Sequence, residues 1–104
     1  MTISLLLGNQ SAQSNIPKVY SLEQNYPNPF NPSTTINFSI GQVTNVKLRV
    51  YNILGQQVMT LVDTRMTPGP HSVVFDAAKL ASGVYFYRLD AGDFMSVKKM
   101  LLLK

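Results

Sequence analysis

Over most of the chain, apolar and polar positions alternate with a period of two, the pattern of strands that bury one face. In residues 34–40 the apolar set is Ile36, Phe38 and Ile40, and the polar set is Thr35, Asn37 and Ser39. Val46, Leu48 and Val50 alternate with Lys47, Arg49 and Tyr51 in the same way. Shorter runs predict strands over 18–22, 58–62, 71–76 (Val73 and Phe75 inward), 84–89 and 94–103. Turn residues punctuate them: 52–56 around Gly55, Thr67-Pro68-Gly69-Pro70, and Asp90-Ala91-Gly92-Asp93. No segment carries a convincing helical period. About seven short strands with short connections predict an all-β fold, an immunoglobulin-like antiparallel β-sandwich.

Two segments refine that expectation. In Leu80-Ala81-Ser82-Gly83-Val84-Tyr85 a tyrosine follows a turn at the start of the penultimate strand. That is the place of a tyrosine corner, whose hydroxyl bonds a backbone group upstream. Otherwise Tyr85 simply packs, since strands are rich in tyrosine. Tyr87, two residues on, points to the same side. In Tyr26-Pro27-Asn28-Pro29-Phe30-Asn31-Pro32, three prolines fix φ and force their predecessors extended, which excludes helix and central strand. Tyr26 and Phe30 are then expected to anchor a rigid loop over one open end of the sandwich. The alternative is a proline-rich ligand motif.

Alternation fails in the last strand. Met100, Leu101, Leu102 and Leu103 are all apolar, so both faces carry large side chains beside Lys98, Lys99 and Lys104. In a two-layer sandwich some of these must meet water, which marks a partner-binding strip or a homodimer contact through the last strand. At the other end, Gly8-Asn9-Gln10-Ser11-Ala12-Gln13-Ser14-Asn15 has linker composition. Residues 1–16 are therefore expected to be a linker or the end of a preceding domain, and 17–104 the sandwich. Ile3-Ser4-Leu5-Leu6-Leu7 is too short for a secretory signal core, so Met1 is expected to begin a fragment. Those five residues would be the end of a preceding strand or a segment docking on the last one.

Composition narrows the chemistry. The 104 residues are 45% hydrophobic and only 13% charged, which suits one folded domain and leaves little for a polar active site. Nine Lys and Arg against five acids give +4, scattered and too sparse for a nucleic-acid stripe. There are no cysteines, hence no disulfide, thiol chemistry or cysteine-ligated zinc. No apolar run approaches the roughly 20 residues of a membrane-spanning helix. The one histidine, His71, lacks a local arrangement of carboxylate and serine for nucleophilic catalysis. Asp90 and Asp93 flank Gly92 and are expected to cap that turn rather than hold calcium. Catalytic, metal and cofactor sites are expected to be absent.

Four segments carry a resemblance. Residues 22–36 (Leu-Glu-Gln-Asn-Tyr-Pro-Asn-Pro-Phe-Asn-Pro-Ser-Thr-Thr-Ile) look like the opening signature of type A C-terminal sorting domains of the type IX secretion system. Residues 50–58, 80–87 and 98–104 resemble the family's later motifs, in order and at the right spacing. The structural positions among them are Tyr26, Pro27, Pro29, Phe30, Pro32, Gly55, Gly83 and Tyr85. The opening segment is shared with the Ig-like domain of flagellar hook-capping proteins, and an end at Lys104 favours the sorting family.

The resemblance implies a domain at the C-terminus of a larger exported protein of Bacteroidota. Its partners would be the outer-membrane translocon, a sortase-like peptidase and the cargo preceding it, with cleavage around residues 8–16. It would be found in the periplasm in transit, then at the cell surface or in the medium. Lys98, Lys99, Met100, Leu101, Leu102, Leu103 and Lys104 would be the docking epitope, so that deleting 100–104 strands the cargo. Two other classes stay open: a carbohydrate-binding or adhesive module, with Tyr51, Tyr85 and Tyr87 as its platform, and a structural domain of the hook-capping kind.

Overall fold

The computed structural model describes residues 19–104. Seven strands follow one another: β1 (Ser21–Leu22), β2 (Ser33–Ile40), β3 (Thr44–Asn52), β4 (Gln57–Met66), β5 (Gly69–Asp76), β6 (Gly83–Ala91) and β7 (Phe94–Leu102). They form two antiparallel sheets, β1-β2-β5 and β4-β3-β6-β7, packed face to face. No helix occurs among the described residues. The immunoglobulin-like sandwich read from the alternation is the fold observed.

The alternation works as the pattern requires. Ile36, Phe38 and Ile40 from one sheet meet Val46, Leu48, Val50, Tyr87, Leu89, Met100 and Leu102 from the other, all buried. Phe75 closes the same core from β5. In an antibody constant domain the fourth strand joins the first sheet. Here β4 pairs with β3 instead, because the tight turn at 52–56 folds it straight back. The Asn52 side chain organises that turn by accepting the Leu54 and Gln56 amides, each at 3.0 Å. Gly55 completes it at φ +82°, a left-handed conformation that costs other residues strain.

Several expectations shift. The turn expected over 90–93 shrinks to Gly92-Asp93, with Asp90 and Ala91 inside β6. Asp90 does not cap the turn, because Arg49 at 2.7 Å and Arg88 at 2.9 Å hold its carboxylate on the sheet face. Partial burial opposes its ionisation, but the hydrogen bonds and charges of Arg88 and Arg49 outweigh that and lower its pKa. β4 runs on through polar residues 63–65 because β3 continues to pair with it. Register shifts between Leu48 and Arg49 and between Val50 and Tyr51 break the alternation of β4. The first strand is confined to Ser21–Leu22. The expected linker at 1–16, its cleavage region and the segment 3–7 lie outside the described residues.

Both tyrosines of β6 are tied to the backbone. Tyr85 is a tyrosine corner, its hydroxyl donating to the Ala81 carbonyl at 2.7 Å. The Tyr87 hydroxyl donates to the Glu23 carbonyl at 2.6 Å and accepts the Asn25 amide at 2.8 Å, joining the chain after β1 to the opposite sheet. Burial pushes the Tyr87 phenol up to about 12, although the Asn25 amide bond pulls the other way. Below pH 10 the phenol is protonated both folded and unfolded. Between about 10 and 12 only the unfolded chain releases the proton, so stability falls with rising pH in that window. Tyr87→Phe should lose about 1–3 kcal/mol at neutral pH by orphaning the buried Asn25 amide, read by urea unfolding. The same variant should flatten the stability decline above pH 10.

Candidate functional site

The run 98–104 ends the edge strand of the four-stranded sheet, and its side chains divide by parity. Met100 and Leu102 point inward and are fully buried. Lys99 and Leu101 point outward, Lys99 exposed and Leu101 half-buried. Lys98 lies opposite Tyr87 and is half-buried at the sandwich edge. Beyond the strand, Leu103 is 50% exposed, and the Lys104 ammonium donates to the Ala78 carbonyl at 2.6 Å. The epitope expected from sequence is thus split: two of its seven residues are core, and Lys99, Leu103 and Lys104 are the fully outward ones.

The open edge of β7 is closed along this run by the proline-rich loop. The Phe30 amide donates to the Leu101 carbonyl and the Leu103 amide to the Phe30 carbonyl, both at 3.0 Å. The Asn28 side chain accepts the Leu101 amide at 3.0 Å, and the Gln24 amide donates to the Lys99 carbonyl at 2.7 Å. An exposed edge invites pairing by any extended chain, and this loop removes that option from Lys99 to Leu103.

The loop is held from both ends. Phe30 is buried with its ring 5.9 Å from that of Phe75. Asn25, also buried, donates to the Thr34 hydroxyl at 3.0 Å and the Pro27 carbonyl at 3.1 Å, while Thr34 donates to the same carbonyl at 2.8 Å. The bonds preceding Pro27, Pro29 and Pro32 are cis. Phe30 therefore anchors the loop, but Tyr26 does not: it is 81% exposed. Its backbone bridges to Thr35, which turns the ring away from the core. The second anchor is Asn25, a polar residue that apolar patterning passes over.

Pairing brings the four motifs to one pole. Asn52 lies opposite Tyr85, Tyr85 opposite Met100, and Gly83 opposite Leu102. Gly83 takes φ +152° as it opens β6, and the proline-rich loop lies against Leu101 and Leu103. The turn carrying Gly55 stands on the same end of the sheet.

The tyrosine platform expected for a glycan does not form. Tyr85 and Tyr87 face the core, and only Tyr51 lies on the outer face, opposite Phe86. His71 lies with its ring 5.5 Å from Phe38 and donates through Nε2 to the Thr67 carbonyl at 2.7 Å. Among the described residues no group of three His, Asp or Glu could hold a metal.

Residues 24–103 match the family model of the secretion system C-terminal sorting domain. The chain belongs to that family. The same fold occurs in dimeric latent PorU from Porphyromonas gingivalis, with a TM-score of 0.65 at 20% identity. That likeness covers 88% of this chain and 10% of the PorU chain, so the sequence spans about a tenth of that protein. Comparison with curated proteins returns no match. The family is the one that the four motifs resemble, and its matched span begins at Gln24, the residue that bonds Lys99.

Because Asn28 protects one amide of the edge, Asn28→Ala should loosen that amide alone. Loss of about 1 kcal/mol would speed exchange of the Leu101 amide roughly fivefold, read by native-state hydrogen exchange. Amides of the β3–β6 ladder should keep their rates.

Proposed function

We propose that this sorting domain carries a larger exported protein across the outer membrane by docking the motif pole on the type IX translocon. The observation that carries the reading is the convergence of the four motifs around Lys99, Leu103 and Lys104, whose side chains face outward. The lysines orient the encounter and Leu103 supplies apolar contact. The domain acts as a folded surface and performs no catalysis itself. The sorting domain is taken to span 17–104, the cargo precedes it, and a sortase-like peptidase removes it by cutting around 8–16. The protein passes through the periplasm to the cell surface or the medium.

Recognition works through side chains rather than strand addition, since the edge from Lys99 to Leu103 is occupied by the chain's own loop. A homodimer through the last strand would have to pair through the first half of β7, where Met95 and Val97 have ladder partners on β6 alone. The carbohydrate-binding reading loses two of its three tyrosines to the core. A structural domain of the hook-capping kind should self-associate in isolation, which light scattering detects.

Deleting 100–104 would remove the buried Met100 and Leu102 and unfold the domain, so the informative variant changes outward positions only. With a reporter fused ahead of the chain in a bacterium that has this machinery, Lys99→Glu/Leu103→Ser/Lys104→Glu should hold the reporter in the periplasm. The purified variant should melt within a few degrees of wild type, about the effect of surface changes. A folded variant that still reaches the surface would refute docking through these residues.

A further inference from the structure

The turn between β3 and β4 contains an anomaly that the fold does not require. Asn52 accepts two amides of the turn and donates to Gln56 Oε1 at 2.8 Å, while the Gly55 amide bonds the Asn52 carbonyl at 2.9 Å. Asn52, Gly55 and Gln56 thus build the turn without help from the side chains at its tip. Those are Ile53 and Leu54, 70% and 79% exposed. Turn tips ordinarily carry polar residues, and two large aliphatics held in water on a rigid turn are an unfavourable choice for stability or solubility. They are a preorganised apolar knob, which binds with little ordering cost.

The knob has an apolar floor beside it. Tyr51 and Phe86 are cross-strand neighbours on the outer sheet face, and Val97 lies opposite Arg88 in the adjoining row. With Gly55 and Arg88 they line a shallow depression of about 260 Å³. The strip continues through Lys99, opposite Phe86, to Leu101, opposite Val84. Its net charge is basic: Lys99 lies on it, and Arg88 shares the single Asp90 carboxylate with Arg49. A two-fold pairing of this face with a second copy would bring like charges together, in a chain that carries +4. Its complement is a different protein that offers an apolar pocket rimmed by carboxylates.

We infer that Ile53 and Leu54 form a second contact point of the sorting domain, inserting into an acid-rimmed apolar pocket of the export machinery. This rests on the docking reading above and extends it from 98–104 to the whole outer strip. Binding energy concentrates where a side chain fills a well-packed, fully desolvated pocket, and a rigid projecting tip can enter one with little ordering cost.

The test uses the same reporter fusion with Ile53→Ser/Leu54→Ser, beside the Lys99→Glu/Leu103→Ser/Lys104→Glu variant. Thermal melting establishes that each is folded, and Leu54→Gln replaces the double variant if that one is not. The expected result is a surface reporter level about tenfold below wild type for the tip variant. If the tip variant exports normally while the lysine variant is retained, the inference is overturned and the docking reading stands. If both export normally, the docking reading falls and takes the inference with it. If the purified wild-type chain associates in light scattering and the tip variant is monomeric, the knob binds a second copy and the assigned partner is wrong. If the folded tip variant binds a polysaccharide probe less well than wild type yet exports normally, the knob serves a glycan and the inference is likewise overturned.

Discussion

The structure depends on how the edge of β7 is closed. A two-sheet sandwich leaves its edge strands with unpaired amides and carbonyls, and β7 is also where the matched motifs end. The backbone of Phe30 and the side chains of Asn28 and Gln24 satisfy that edge from Lys99 to Leu103. They hold position because Phe30 is buried against Phe75 and because Asn25 and Thr34 clamp the Pro27 carbonyl. Tyr87 ties the preceding segment across the core. Loop, edge strand and penultimate strand are therefore one mechanical unit.

Under the proposed docking, that unit is why the address is a folded surface. A free terminal strand would be recognised by backbone pairing, which is sequence-tolerant and invites aggregation. With its edge occupied from Lys99 to Leu103, the end of β7 offers only side chains, and under the proposed docking specificity lies in which of them stand outward. Lys99 on the strand and Leu103 just beyond it are presented by a segment whose intervening residues Met100 and Leu102 are locked in the core. The adjoining turn shows the same division of labour, with polar residues used internally and apolar ones displayed.

Much of this was legible in the chain. The period-two pattern located six of the strands to within a few residues, and the placement of Tyr85 after a turn foretold its corner bond to Ala81. The limits of β4 were not legible, because bulges opposite Leu48 and Val50 scramble its alternation and because its later residues are polar. Tyr26 was misread as an anchor for a related reason: an aromatic ring between prolines suggests burial, yet Asn25 and Phe30 hold the loop. Asp90 looked like a turn residue until pairing set it beside Arg49 and Arg88.

By itself the sequence determined the fold class, through local periodicity and turn chemistry, and pointed to the family through the resemblance of its four motifs, since both are carried by residues close together in the chain. Only the tertiary structure decided which of those residues face outward and which of them meet. Parity along β7 is ambiguous when four apolar residues run together, and it is resolved by the register of β7 against β6. The meeting of 24–30 with 99–103, and of the 52–56 turn with that same pole, joins residues far apart in the chain. Such contacts depend on which strands pair and on how the sheets stack, and no local pattern encodes either.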